Sequence, residues 1–222
     1  MTNFVRKVAA AALVLALGTG ICACGGTSSS QGNNNVTVGI TQEPSSFDPH
    51  TVVAAGDKEL IFNIYEGLYK FDSTGSLNPC LATGVDISED SSVYTFTIRD
   101  GVKFHNGDTL DADDVVYSLK RAAGLLDSQD GTALTAELDC VADVEKNDKN
   151  QVVVTLESPD SEMLSNFTVG IIPDGYTECD TAPVGTGPFK FVSYTVGQSV
   201  VLAKNPDYWQ SGLPYLDTVT FK

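Results

Sequence analysis

Residues 95–121 constrain the fold more than any other stretch, because they demand a strand and a helix in direct succession. Around the start of the stretch, apolar side chains alternate with threonines, which is the period of a half-buried strand. These apolar side chains are Tyr94, Phe96 and Ile98. Asp111 then has the short polar side chain that is typical of a helix N-cap. The stretch therefore predicts a strand followed by a helix.

The acidic residues around Asp111 predict helix capping rather than a calcium site. Asp113 and Asp114 fall in the first helical turn, where negative charge is favourable. The cluster lacks the glycine and the distal glutamate of an EF-hand loop. The predicted helix ends at Gly124, after two basic residues. Its apolar stripe consists of Val115, Val116, Leu119, and Ala122 or Ala123.

A second helix is predicted from residue 57, where apolar positions recur at helical spacing. Its stripe consists of Ile61, Ile64, Tyr65 and Leu68, with Gly67 as the candidate terminator. The remaining apolar segments alternate and are separated by turn residues, which predicts strands and hairpins. They are residues 36–40, 68–71, 85–87, 141–144, 152–156, 189–194, 200–203 and 216–221. Two helices among several hairpins predict a mixed α+β lobe of the α/β class.

The amino-terminal residues 1–23 have the pattern of a lipoprotein signal peptide. A short basic region precedes an apolar run that is too short to span a bilayer. Ile21 and Ala23 stand three and one positions before Cys24, which predicts cleavage there and a lipid on Cys24. Residues 24–35 are polar and predict a flexible linker, so that residues 36–222 form the globular part.

The net charge argues against two kinds of partner. Once residues 1–23 are removed, all 29 acidic residues and 11 of the 13 basic ones remain, for a net charge of −18. Such a charge argues against nucleic acid and against anionic lipid as binding partners. Three cysteines of the globular part, Cys80, Cys140 and Cys179, could form one disulfide or remain as buried thiols.

Catalytic and cofactor motifs are lacking in the sequence. His50 and His105 are the only histidines, and neither stands in a zinc or hydrolase motif. His105 is predicted to be structural. Gly185, Thr186 and Gly187 lack the lysine of a P-loop, and a tight turn or a close backbone approach explains the glycines. Tyr208 and Trp209 are predicted to pack in the core.

Four segments in a fixed order resemble the solute-binding proteins of ABC importers, in the oligopeptide- and dipeptide-binding branch, family 5. They are IYEGLYKFD at residues 64–72, the stretch 95–121, PVGTGPFKF at 183–191 and KNPDYW at 204–209. The resemblance implies a periplasmic-binding-protein-like clamshell of two lobes. This chain is then expected to supply the amino-terminal part of the first lobe, within a longer protein.

The resemblance also implies a function and partners. We expect a peptide ligand, ABC permease and ATPase subunits, and attachment through the lipid anchor to the outer face of the cell membrane. We expect no enzymatic activity and no cofactor. Binders of nickel, haem, oligosaccharides and opines share the architecture and remain alternatives, as do a lipid-anchored hydrolase and a non-functional fragment.

The predicted ligand-binding residues follow the first strand, because open α/β sheets bind ligands outside the carboxyl ends of their strands. The resemblance implies the same segment as an edge of the cleft. It consists of Gln42, Glu43, Pro44, Ser45, Ser46 and Phe47. Gly185, Thr186 and Gly187 are next in line, since the resemblance implies that they lie beside the cleft.

Overall fold

Ten strands in three sheets and two α-helices make up the part that the structure describes, residues 34–222 of a computed structural model. The helices are α1 (Ala55–Ile61) and α2 (Ala112–Ala122). The strands are β1 (Asn35–Val38), β2 (Tyr69–Phe71), β3 (Leu77–Pro79), β4 (Ala82–Ile87), β5 (Val93–Ile98), β6 (Val141–Lys146), β7 (Val152–Leu156), β8 (Phe189–Thr195), β9 (Ser199–Lys204) and β10 (Thr218–Phe221). The predicted signal peptide, the lipid site Cys24 and most of the linker lie outside the described residues.

One core lies between α2 and the antiparallel sheet β4-β5-β7-β6. The alternation read from the sequence is confirmed here, since Tyr94 and Phe96 are fully buried on β5. The Asp111 carboxylate accepts hydrogen bonds from the Asp113 and Asp114 amides, and the Asp114 carboxylate accepts one from the Asp111 amide. This capping box confirms the predicted start of α2.

A second core lies under the sheet β1-β10-β9-β8. β1 and β10 are parallel, whereas β9 is antiparallel to both of its neighbours, β10 and β8. The carboxyl ends of β1, β10 and β8 therefore meet at one edge of the sheet. The short hairpin β2-β3 adds a strand, β3, that the apolar pattern does not predict.

The prediction for the first helix was wrong at its carboxyl end. α1 ends at Ile61, and Ile64, Tyr65 and Leu68 are buried beyond it in an irregular segment. The reason lies in the backbone. The carbonyls of Asn63 and Ile64 accept hydrogen bonds from the Phe189 and Gly187 amides at 3.0 and 2.9 Å. Carbonyls engaged across the chain in this way do not extend a helix.

Tertiary packing also decides the states of the cysteines and of Trp209. Cys80, Cys140 and Cys179 are all free thiols. Burial raises the pKa of Cys80 to about 12 and that of Cys179 to about 11, so both stay protonated at neutral pH. Trp209 is half-buried against the first core. The Trp209 ring therefore packs against the core as predicted, but part of it stays exposed to solvent.

Candidate functional site

A cavity of about 290 Å³ opens beside α1. One of its walls is the segment that precedes α1, and another is the segment around the turn Ala136–Leu138. The lining combines aliphatic and aromatic side chains with polar ones, as small-molecule sites do. The lining consists of Pro49, His50, Val52, Val53, Lys58, Ile61, Phe62, Tyr65, Leu134, Thr135, Ala136, Glu137, Ser165, Asn166, Thr168, Val169 and Gly170.

Large apolar side chains of this cavity are open to solvent. Val53 is 81% exposed, Phe62 58% and Leu134 37%. All three lie on loops or at the end of a helix. By contrast, their chain neighbours Val52 and Ile61 are buried in a core. Clustered exposed apolar side chains are typical of a surface that another molecule covers.

The wall before α1 offers unpaired backbone. Ala54 has φ −66° and ψ 135°, an extended conformation. Among residues 34–222, no hydrogen bond of the chain engages the amide or the carbonyl of Val53. Extended backbone with free polar groups can accept a further strand by main-chain pairing.

A buried ion pair fixes this wall to α2. Arg121 donates to both carboxylate oxygens of Asp48, at 3.0 and 2.5 Å, and also donates to Nδ1 of His50 at 2.6 Å. The other ring nitrogen of His50 donates to the Gly170 carbonyl at 2.9 Å. Burial, helped by the Arg121 charge, lowers the pKa of His50 to about 4, so the ring is neutral at pH 7.

The same cluster reaches the opposite wall. The Thr135 hydroxyl donates to the His50 carbonyl at 3.0 Å, and the Thr135 amide donates to the Ala122 carbonyl at 3.0 Å. Hydrogen bonds therefore hold both walls of the cavity to the carboxyl end of α2. Burial alone would raise the pKa of Asp48, but the hydrogen bonds from Arg121 and the His50 amide lower it on balance, which keeps the pair ionised.

The predicted segment 42–47 divides into two parts in the structure. Gln42, Glu43 and Pro44 line a smaller pocket of about 190 Å³ at the sheet edge where β1, β10 and β8 end. Gln42 and Glu43 are exposed, as a ligand contact requires. One Glu43 carboxylate oxygen accepts a hydrogen bond from the Gly197 amide in the β8–β9 turn.

The second part of the segment is tied down by two aspartates. The Ser45 amide and hydroxyl donate to Asp57 at 3.1 and 2.5 Å. The Ser46 hydroxyl and the Phe47 amide donate to Asp180 at 2.6 and 2.8 Å. Phe47 itself is buried and packs edge-on against two aromatic rings of β8. Ligand contact by this part of the segment remains a prediction.

Gly185, Thr186 and Gly187 are all buried. A Cβ on Gly185 would lie 2.2 Å from the Ile64 carbonyl oxygen, and one on Gly187 would lie 2.6 Å from the Asn63 carbonyl oxygen. Close backbone approach, one of the two predicted reasons for these glycines, is therefore the correct one. Their ligand-binding role remains a prediction.

His105 has the structural role predicted for it. Its Nε2 donates to the Gly187 carbonyl at 3.0 Å, its backbone amide donates to the Gly185 carbonyl at 2.9 Å, and its Nδ1 lies 3.4 Å from the Gly185 amide. Burial lowers the pKa of His105 to about 4.

Sequence reasoning missed the cavity beside α1. Its walls come from three separate segments, residues 49–65, 134–137 and 165–170, and only Tyr65 among the lining residues belongs to one of the four segments that carry the family resemblance. One signal was available, because Val53 and Phe62 fall outside every apolar stripe.

No helix within residues 34–222 is both long and apolar enough to cross a membrane.

Comparison with known proteins gives the family of this chain. The model of bacterial extracellular solute-binding proteins, family 5 Middle, matches residues 76–222. The chain belongs to this family, which confirms the resemblance stated from the sequence.

Relatives extend the match to most of the chain. The glutathione-binding protein GsiB of Pectobacterium atrosepticum is 33% identical over 187 residues, which cover 80% of this chain and 36% of that protein. Among solved structures, the oligopeptide-binding protein AppA of Bacillus subtilis, in complex with a nonapeptide, is 28% identical with a TM-score of 0.75. NikZ of Campylobacter jejuni, in complex with Ni(L-His), is 25% identical with a TM-score of 0.74.

The matched part of these relatives is limited. The AppA match covers 85% of this chain and 39% of the AppA chain, and the NikZ match covers 86% and 39%. This chain thus spans well under half the length of the relatives that it matches. The shared region includes the mixed α/β architecture described above, which confirms the predicted fold class.

Proposed function

We propose that the chain is the solute-binding component of an ABC importer and that its ligand is a peptide. The observation that carries this proposal is the free amide and carbonyl of Val53, next to the extended Ala54 and beside an open cavity. A peptide presents a repeating row of amides and carbonyls, and the free amide and carbonyl of Val53 can pair with one unit of that row. Nickel, haem and opine ligands have no such row.

The second part of the proposed site is the sheet edge formed by Gln42, Glu43 and Pro44, with the neighbouring residues 45–47. Gly185, Thr186 and Gly187 are the next candidates for ligand contact. The ligand is enclosed when a second lobe closes over this surface, and the loaded protein delivers it to a permease that an ATPase drives. Binding and release involve no chemical step.

Attachment to the membrane completes the proposal. A lipid on Cys24 and a polar linker over residues 24–35 would hold the globular part at the outer face of the cell membrane. A solute captured there is released near the permease. The strong negative charge keeps the protein away from anionic headgroups.

Calorimetry on the complete protein encoded by the gene tests the peptide proposal. Peptides of two to five residues should bind with micromolar dissociation constants. Peptides of the same sequence with N-methylated amides should bind at least about tenfold more weakly, because they cannot donate to the extended segment. Equal affinity for the methylated series would contradict main-chain pairing. Binding of nickel–histidine or an opine, with no binding of peptides, would contradict the peptide ligand.

A further inference from the structure

We propose that the cavity beside α1 selects a large, uncharged, apolar side chain of the bound peptide. This inference rests on the proposed peptide-binding function and adds to it the class of side chain that the site prefers. Three observations support it: the exposed apolar surface of the cavity, its lack of an unpaired charge, and its position next to the extended segment.

The first observation concerns apolar surface. Phe62, Val53 and Leu134 present large side chains to water although other positions of the same segments are buried. A ligand side chain placed among them removes apolar surface of both molecules from water, which is favourable. The cavity volume of about 290 Å³ is sufficient. For comparison, an engineered apolar cavity of about 150 Å³ holds benzene.

The second observation concerns charge. Lys58 and Glu137 are the charged side chains of the lining, and they face each other with Nζ and Oε1 3.8 Å apart. His50 also lines the cavity, but both of its ring nitrogens are already hydrogen bonded, to Arg121 and to Gly170. An acidic or basic ligand side chain would therefore lose water without gaining a free counter-charge. Charged side chains are disfavoured at this position.

The third observation concerns position. Val53 contributes both its side chain to the cavity and its free backbone to the extended segment. Successive side chains of an extended peptide point to opposite sides. A peptide paired with this segment therefore directs a side chain of one parity toward Phe62 and Leu134. Contacts in the cavity would then select that side chain, whereas the main-chain hydrogen bonds would form with a peptide of any sequence.

The test is a calorimetric titration of the complete protein with three tripeptide series, X-Ala-Ala, Ala-X-Ala and Ala-Ala-X, in which X is Leu, Phe, Ala, Asp or Lys. In at least one series, we expect Leu and Phe to bind about tenfold more tightly than Ala. Asp and Lys should bind no better than Ala in that series. Phe62→Ala should remove most of the Leu preference. Tyr215→Ala is the matched control, because Tyr215 is 78% exposed and does not line the cavity.

Charge variants give a second and independent measurement. Glu137→Gln leaves Lys58 without its partner and should improve binding of the Asp peptide about threefold, whereas Lys58→Gln should do the same for the Lys peptide. Peptide binding that is indifferent to X, or a preference for Asp or Lys in the unmodified protein, would overturn the inference and leave the proposed function standing. Failure of every tripeptide to bind would overturn both.

Discussion

The Glu66 carboxylate accepts a hydrogen bond of 2.7 Å from the indole nitrogen of Trp209, 143 positions away along the chain. The same carboxylate accepts from the Tyr208 hydroxyl at 2.7 Å and from the Thr186 hydroxyl at 3.2 Å. Arg99 stacks over the Trp209 ring at 4.3 Å. The four sequence segments that indicate the family therefore meet at one buried carboxylate and one indole ring.

We expect Glu66→Leu to lower the free energy of unfolding by at least about 2 kcal/mol, because one buried donor, Thr186, and two half-buried ones, Tyr208 and Trp209, lose their acceptor at once. Glu66→Gln keeps an acceptor oxygen and should be milder. Urea unfolding followed by circular dichroism measures both. Glu89→Leu is the control, since Glu89 is exposed. Equal stability of the Glu66→Leu and Glu89→Leu variants would show that the contacts of Glu66 contribute no net stability.

Gly187→Ala should destabilise the fold by about 1 to 3 kcal/mol, the usual range for overpacking. An added Cβ would lie 2.6 Å from the Asn63 carbonyl oxygen and 2.7 Å from that of Ile64, and backbone atoms cannot move aside independently. Gly39→Ala is the matched control, because no atom lies within 4 Å of its added Cβ. Thermal unfolding of the two variants should separate them, and a shared melting temperature would refute the close-approach argument.

Stability should fall as the pH drops from about 6.5 toward about 4. The folded state holds the pKa of His50 near 4, below its ordinary value of 6.5. Between these two values the unfolded chain binds a proton at His50 and the folded chain does not, so acid favours unfolding. His50→Gln should flatten this pH dependence by up to about 1.4 kcal/mol per pH unit.

Urea unfolding at a series of pH values checks this prediction. His105→Gln serves as a parallel case, because burial also lowers the pKa of His105 to about 4. An unchanged slope in both variants between pH 4.5 and 6, roughly the window set by these pKa values, would contradict the buried neutral state of the two rings.

Glu43→Ala and Ser46→Ala test the sheet-edge part of the proposed site. Each should weaken peptide binding by up to about tenfold, the effect of one lost hydrogen bond. The melting temperature should change little in Glu43→Ala and should fall modestly in Ser46→Ala, which also loses the hydrogen bonds of the Ser46 hydroxyl with Asp180 and with the Asp48 amide. Ser73→Ala, on an exposed turn, is the control. Calorimetry and thermal unfolding give the two readouts. Unchanged affinity in both variants would move the ligand away from this edge, toward Gly185, Thr186 and Gly187 or toward the cavity beside α1.

Cys24 should be the first residue of the mature protein and should carry a diacylglycerol, because one lipid chain alone anchors only marginally. Mass spectrometry of the protein extracted from membranes measures the modification. Cys24→Ala should release the protein from the membrane fraction, and Cys22→Ala should not. An unmodified terminus at another residue would disprove the lipid anchor.

Local patterns in the sequence predicted much of this fold. The alternation around Phe96 and the capping aspartates before α2 act over a few neighbouring residues, so the strand and the helix start where they were expected. The order of the four segments was enough to indicate the family. The strand and the helix depend on interactions between neighbouring residues, whereas the family inference depends on recognisable segments and their order along the chain.

Only the tertiary structure decided where α1 ends and where the cavity lies. The helical period of Ile61, Ile64 and Tyr65 continues in the sequence, but the Asn63 and Ile64 carbonyls bind amides more than a hundred positions away. The cavity joins Val53 to Leu134 in the same manner, through the Asp48–Arg121 ion pair and Thr135. Hydrogen bonds and packing between distant segments leave no period in the sequence, which is why local patterns could not reveal them.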